Sequence, residues 1–482
     1  MQLMIDNFLF NEIKASFGFS PTPQQELVMQ ALSEFLLSRD SHSLFLLKGY
    51  AGTGKTSLVG ALVRTMDRLK QKVVLMAPTG RAAKVFSHYA GHPAYTIHKK
   101  IYRQRSFSND LTNFALNDNL HQHTLFLVDE ASMIANEGLS GGAFGSGRLL
   151  DDLVRYVYSG TGCRLLLMGD TAQLPPVGEE ESAALSATQL KGYGLEVYEF
   201  HLTQVVRQAD SSGILYNATQ LRLLLDEDEV FEFPRIRLKG FADVRQLPGG
   251  ELIEALTASY DNVGMDETMV VCRSNKRANL YNNGIRNTIL YREEELSTGD
   301  WLMVSKNNYY WTEGNKEVEF IANGDIAVVR RVRRTREMYG FRFATVTLSF
   351  PDYNDWELEA TVLLDTLQSD YPSLSQEDNN RLFQTILQDY ADLPRKADRM
   401  KKMKEDPYYN ALQVKYAYAV TCHKAQGGQW QHIYLDQGYM TEDMLSPDYF
   451  RWLYTAFTRA TNMLYLVNWP ENETEEMPLK EE

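Results

Sequence analysis

The stretch Gly49-Tyr50-Ala51-Gly52-Thr53-Gly54-Lys55-Thr56 decides the fold of this chain. It follows a short apolar run, Leu44 to Lys48, and precedes Ser57 to Leu69, where apolar residues recur at helical spacing. A glycine-rich loop between a buried strand and a helix lets backbone N–H groups wrap phosphates at the positive end of the helix. Gly49, Gly52, Thr53 and Gly54 supply that wrap, Lys55 is placed to reach the β and γ phosphates, and Thr56 to ligate magnesium.

Further apolar cores at Val73–Ala77, Leu125–Val128 and Leu165–Met168 predict a buried parallel sheet flanked by helices. Val128-Asp129-Glu130-Ala131-Ser132 ends one of these strands and sets two carboxylates at the carboxyl edge of the sheet. Asp129 is expected to hold magnesium and Glu130 to position or deprotonate the attacking water. Together the two motifs predict hydrolysis of a nucleoside triphosphate.

A second set of strand cores, Thr268–Cys272, Lys415–Val420, Ile433–Leu435 and Met463–Val467, predicts a second α/β unit. Between its first two members, Glu294 to Asn410, short alternating strands and the turn Asn323-Gly324-Asp325 indicate an inserted β-rich domain, turning polar and helical over Ser373 to Lys404. Between His98 and Leu125 the chain has hairpin character around the turn-prone Ser108-Asn109-Asp110, with Phe107 and Phe114 near its tip.

At 482 residues the chain is too long for one comfortable core, so several compact units are expected. No apolar run reaches the roughly 18 residues a membrane helix needs, and no secretory signal is read at the N-terminus. Cys163, Cys272 and Cys422 lie far apart without paired spacing, which fits free thiols in a reducing cytoplasm. The formal charge of −14 excludes a uniformly basic surface but not a local positive channel. A signalling GTPase is disfavoured because no Asn-Lys-x-Asp guanine reader occurs.

Downstream of the phosphate loop, Gly169-Asp170-Thr171-Ala172-Gln173-Leu174-Pro175-Pro176-Val177 resembles the third motif of superfamily one helicases, in which Gln173 senses the γ-phosphate. Pro21-Thr22-Pro23-Gln24-Gln25 resembles the adenine-reading Q motif, with Gln25 at the matching position. Ala77-Pro78-Thr79-Gly80-Arg81-Ala82-Ala83-Lys84 and Tyr95-Thr96-Ile97-His98 resemble its DNA-contacting motifs. Leu202-Thr203-Gln204-Val205-Val206-Arg207-Gln208, Thr421-Cys422-His423-Lys424-Ala425-Gln426-Gly427-Gly428 and Leu453-Tyr454-Thr455-Ala456-Phe457-Thr458-Arg459-Ala460 resemble the fourth, fifth and sixth motifs. In motif order and coverage the chain is similar to the RecD-like and Dda-like DNA helicases of superfamily one, group B.

That resemblance implies two RecA-like motor domains, an α/β fold with ATP and magnesium in the cleft. Arg207 and Arg459 act as arginine fingers, and Thr79, Thr96, His98, His423 and Lys424 as DNA contacts. Gln429 stands where many relatives carry a ribose-binding Glu. The expected domains are a first motor domain over 1–195 with a hairpin insertion at 100–123, and a second motor domain over 196–293 and 411–470. An SH3-like barrel is inserted at 294–410, and an acidic tail follows at 471–482. Arg330, Arg331, Arg333, Arg334 and Arg336, and the run Arg395 to Lys404, are either DNA contacts or solvated faces, and Tyr309, Tyr310 and Trp311 either base-stacking or barrel residues. The resemblance implies a cytoplasmic monomer translocating 5′ to 3′ on single-stranded DNA and unwinding duplex at single-strand/double-strand junctions, with recombination or repair proteins as partners. The alternative is a DNA-stimulated ATPase subunit of a larger complex.

Overall fold

The computed structural model describes residues 2–40, 42–104, 114–136, 145–206, 211–226, 232–312, 318 and 320–475. The first sheet is built from β1 (Ser43–Gly49), β2 (Lys72–Ala77), β3 (Ala94–Thr96), β6 (Thr124–Val128), β7 (Arg164–Gly169) and β8 (Glu196–Leu202). Between β3 and β6, β4 (Tyr102–Gln104) and β5 (Phe114–Leu116) pair as a separate antiparallel ribbon. The sheet order is β3-β2-β6-β7-β1-β8, with every pairing parallel. Because side chains alternate across a strand, β1 feeds two cores at once. Phe45 and Leu47 pack with Leu58 and Leu62 of the helix Lys55–Arg68. Leu44 and Leu46 pack with Leu150 and Leu153 of the helix Leu149–Ser159 on the other face.

The second unit contains β9 (Val244–Leu247), β10 (Thr268–Cys272), β16 (Ala419–Thr421), β17 (Trp430–Asp436) and β18 (Ala460–Val467), again all parallel in the order β16-β10-β17-β18-β9. Inserted after β10 is a closed barrel of β11 (Trp301–Val304), β12 (Ile326–Met338), β13 (Phe341–Phe350), β14 (Trp356–Leu363) and β15 (Leu412–Tyr416). Helices Gln376–Asp389 and Lys396–Lys404 leave the barrel between β14 and β15 and pack Leu382, Ile386 and Met403 against Phe341, Phe343 and Leu363.

Two expected boundaries move. The strand at 196–202 pairs along β1, so it belongs to the first motor domain rather than opening the second. The run expected as one strand from Lys415 to Val420 is divided: β15 closes the barrel against β11, and only β16 enters the second sheet. All three cysteines are free and buried. Among the described residues no helix is long and apolar enough to cross a membrane.

Asp300 roots the barrel in the second motor domain. Its fully buried carboxylate accepts from Arg286 Nε and Nη2, each at 3.0 Å, from Arg292 Nη1 at 2.8 Å, from the Tyr418 hydroxyl at 3.0 Å and from the Ser297 N–H at 2.7 Å. Removing one side of a buried charge cluster leaves the other unpaired, which costs about 3–5 kcal/mol. Asp300→Ala is therefore expected to lower the unfolding free energy by an amount in that range, read by equilibrium denaturant unfolding; a loss under about 1 kcal/mol contradicts the anchoring role.

Candidate active site

The phosphate loop is held by conformations that glycine permits. Gly52 and Gly54 have φ of 74° and 81°, and a Cβ on Gly54 would stand 2.6 Å from Gln25 Nε2. The helix Lys55–Arg68 begins at Gly54 with no side-chain cap, so its leading N–H groups face the loop as an anion-binding end. Lys55 Nζ folds back onto the loop and donates to the carbonyls of Gly49 and Tyr50, the latter at 2.9 Å. Gln25, buried, donates from Nε2 to the Thr53 carbonyl at 2.9 Å. Its Oε1 accepts from the Thr22 N–H at 2.9 Å, closing a capping box that fixes the helix Pro23–Leu37.

Asp129 and Glu130 lie where β6 ends. The Glu130 N–H donates to Asp129 Oδ1 at 2.7 Å, and Glu130 itself adopts a left-handed backbone with φ of 52°, a strained conformation of the kind that gathers at functional sites. Burial first, and the neighbouring Glu130 second, push the Asp129 carboxyl well above the usual carboxylate range. A buried carboxylate destabilised in this way suits a divalent cation.

Arg459 reaches this pair from the second motor domain. It is 3% exposed and pinned by its own domain: Nε donates to the Thr455 carbonyl at 3.1 Å, Nη1 to the Gly428 carbonyl and Nη2 to Thr458 Oγ1, both at 3.2 Å. Its Nη1 stands 3.8 Å from Glu130 Oε1. Gln173 and Ser132 line an interdomain cleft of about 450 Å³, and Gln173 Oε1 and Ser132 Oγ are buried there without a hydrogen-bond partner.

The motor domains are clasped around the loop. The Ala51 N–H donates to the Tyr454 hydroxyl at 2.8 Å, and that hydroxyl donates to Asp170 Oδ2 at 2.6 Å. Thr455 Oγ1 accepts from the Leu174 N–H at 2.9 Å, and Gln426 Nε2 donates to the Leu174 carbonyl at 2.7 Å. The Val206 N–H donates to the Gly52 carbonyl at 3.1 Å. Arg81 stacks 4.2 Å over the Trp430 ring and donates to the Gln429 carbonyl at 2.9 Å.

Two family models match: an AAA domain over residues 22–223 and a UvrD-like helicase C-terminal domain over residues 416–467. The ATP-dependent RecD2 DNA helicase of Deinococcus radiodurans is 28% identical over 64% of this chain and 39% of its own length. The chain is thus similar to an AAA domain in its first half, to a UvrD-like helicase C-terminal domain near its end, and to the RecD2 helicase over part of its length. It spans about two fifths of that RecD2 relative. An uncharacterised protein of Acanthamoeba polyphaga mimivirus is 23% identical over 92% of this chain and 98% of its own length. A structure of Pif1 helicase from Bacteroides in complex with ADP-AlF3 and single-stranded DNA is 14% identical, covers 95% of each chain and has a TM-score of 0.45.

The expected site residues divide. Gln25 bonds the phosphate loop, Arg459 stands near Glu130 beside Asp129, and Gln173 lines the 450 Å³ cleft together with Tyr50 of the loop, while Gln429 meets the first motor domain through its carbonyl. Arg207 and Phe107 lie outside the described residues. Thr79 and Thr96 are N-caps, accepting from the N–H groups of Ala82 and Lys99, each at 3.2 Å. Burial lowers the His98 pKa to about 4, leaving it neutral. His423 is exposed, and Lys424 donates to Asn323 of the barrel. Phe114 pairs with Gln104 at the far end of the described ribbon, and its ring stands 4.1 Å from Tyr309, which in turn stands 5.1 Å from Phe320. Tyr310 and Trp311 bond the carbonyls of Glu405 and Asn410, so this aromatic run serves the barrel. Arg330 and Arg333 pair with Asp355 and Glu359. The clasp residues Tyr454, Thr455 and Gln426 were not expected as functional, because a Tyr or Thr inside an apolar helical string reads as core.

Three substitutions test the cleft by steady-state ATP hydrolysis and fluorescent-nucleotide binding. Lys55→Ala is expected to abolish hydrolysis. Glu130→Gln should retain nucleotide binding while turnover falls by about a hundredfold or more. Arg459→Lys, which keeps charge but loses the planar fork, should lower kcat by roughly a hundredfold with affinity within a few fold; matched losses in both would mark a structural arginine.

Proposed function

We propose that this chain hydrolyses ATP to move 5′ to 3′ along single-stranded DNA and separates duplex at its junction with a single strand. The observation carrying this reading is the approach of Arg459 to Glu130 across the cleft at 3.8 Å. A carboxylate placed for water activation thereby meets, beside a phosphate loop, a cation fixed in another domain. Hydrolysis then depends on how the two domains sit, which is the requirement of a motor.

In the reaction the loop N–H groups and Lys55 hold the phosphates, Lys55 exchanging its carbonyl partners for phosphate oxygens. Asp129 and Thr56 would hold magnesium, which neutralises charge on the phosphate oxygens. Glu130 orients the water and takes its proton as oxygen attacks the γ-phosphorus and the bond to the bridging oxygen breaks. Arg459, and Arg207 by motif position, stabilise the charge on the transferring phosphoryl group, while Gln173 senses its presence. Because Leu174 is bonded through both its N–H and its carbonyl to the second domain, loss of the γ-phosphate is transmitted directly to the domain that carries Lys424.

Strand separation is assigned to the ribbon β4–β5. Its support against the barrel through Phe114, Tyr309 and Phe320 gives it the stiffness a wedge needs. The direction of movement rests on the resemblance to group B helicases.

Strand displacement on 5′-tailed, 3′-tailed and forked duplexes tests the reading. Unwinding is expected with a 5′ tail and not with a 3′ tail alone, and the reverse preference would contradict the polarity. Phe114→Ala should cut unwinding by about tenfold, an aromatic pair and its buried area being worth about 1–2 kcal/mol, while DNA-stimulated hydrolysis stays near the parental rate. Unwinding at the parental rate would place the wedge elsewhere.

A further inference from the structure

The barrel touches the first motor domain through acids, at the motif assigned to DNA contact. Lys84, on the helix Gly80–Ala90, has its Nζ 2.8 Å from Asp352 Oδ1. The lysine side chain is 55% exposed and the aspartate only 8%, so the carboxylate is the more sequestered partner. Asp325, 2% exposed, spends Oδ2 within the barrel, accepting from the Tyr353 hydroxyl and the Ala322 N–H, both at 2.7 Å. Its Oδ1 points out of the barrel at the first residue of that same helix, 2.7 Å from where a Cβ on Gly80 would stand. A helix start favours a negative group.

The same turn also engages the second motor domain, where Lys424 donates to Asn323 Oδ1. Burial lowers Lys424 to about 8, and the charged group bearing on it is another cation, Lys415. Asp325 shows the opposite sign of the same condition: burial raises it to about 7, and the charged group bearing on it is another acid, Asp352. Acidic groups of the barrel and basic groups of the motors are thus held together without full mutual neutralisation. Beside these contacts the interface opens into a cleft of about 440 Å³ whose wall includes Tyr95, Thr96 and Lys99.

We propose that Asp352 and Asp325 hold the single-strand track closed, standing where backbone phosphates of the strand bind, so that DNA enters by exchanging with them at Lys84 and at the start of the helix Gly80–Ala90. This rests on the reading of the chain as a single-strand motor. The Asn323–Asp325 turn is then a positioning element. Released from Gly80 and Lys424 it leaves both motor domains free to take the strand, and rebinding recloses the empty track. An ion pair that only supports the fold makes a different demand from one that competes with a ligand. In the first case both partners help binding or neither does. In the second the two partners act in opposite directions.

The test uses the full chain and a fluorescein-labelled oligothymidylate, with association followed by stopped-flow anisotropy at fixed salt. Asp352→Asn and Asp325→Asn, both keeping the hydrogen-bonding shape, are expected to speed association by about three- to tenfold, and Lys84→Gln to slow it by a similar factor. Asp355→Asn, on the same barrel loop and ion-paired to Arg330 of the barrel, controls for net charge and should change the rate by less than about twofold. Melting temperatures within a few degrees of the parent qualify each variant, and Asp352→Asn with Lys84→Gln suffices if Asp325→Asn fails to fold. Shifts of Asp352→Asn and Lys84→Gln in the same direction, or acid variants no faster than Asp355→Asn, overturn the proposal while leaving the single-strand reading in place. A parent protein that binds no oligothymidylate overturns both.

Discussion

One phenolic hydroxyl joins the two halves of this molecule. Tyr454, buried on the second motor domain, accepts from the phosphate-loop N–H of Ala51 and donates to Asp170 at the end of β7. An unpaired buried hydroxyl, N–H or carboxylate is costly, so each of the three groups needs the other two. Asp170 uses its remaining oxygen on the Ala172 N–H at 3.0 Å, which shapes the segment that carries Gln173. Thr455, next to Tyr454, and Gln426 then hold the backbone of Leu174 from both sides. Phosphate loop, the segment Asp170 to Leu174 and the helix Pro447–Phe457 are consequently one hydrogen-bonded unit spanning the cleft.

Charge is arranged so that this unit is incomplete by itself. Asp129 is buried with a raised pKa, Lys55 is turned onto its own loop carbonyls, and Arg459 stands near Glu130 at a distance longer than a hydrogen bond. In the proposed reaction a divalent cation would lower the cost of the carboxylate, and the nucleotide's phosphates would replace the carbonyls on Lys55. The barrel repeats the pattern on the side proposed to face DNA, where Asp352 and Asp325 meet Lys84 and the start of its helix. A net charge of −14 is compatible with this because cations are concentrated where anions of the ligand are expected.

Much of this was legible in the sequence, and the exceptions have physical causes. Buried parallel strands such as Leu44-Phe45-Leu46-Leu47 and Leu125-Phe126-Leu127-Val128 read directly because both faces are covered. The edge strand Glu196–Leu202 does not, since it is exposed on one side and alternates polar with apolar residues. The run from Lys415 to Val420 reads as one segment because Ala417 and Tyr418, where the chain leaves the barrel for the second sheet, are themselves buried. The stacking of Phe114 on Tyr309 joins residues far apart in the chain, and nothing local announces it. Thr79 and Thr96 cap helices at the edge of the sheet, accepting one bond each, and Lys84 and Lys424 are cations that face the barrel.

The central claim is that the cleft works as one coupled unit through Tyr454, and the ratio of ATP turnover with and without saturating single-stranded DNA in Tyr454→Phe measures it most directly. The ring and its packing are retained, and only the hydroxyl that links Ala51 to Asp170 is lost. A hydrogen bond to a charged group is worth about 1.5–3 kcal/mol, so the stimulation by DNA should fall by about tenfold or more while the unstimulated rate changes far less. An undiminished ratio in a folded Tyr454→Phe protein would contradict the account, because the two domains would then be communicating by another route.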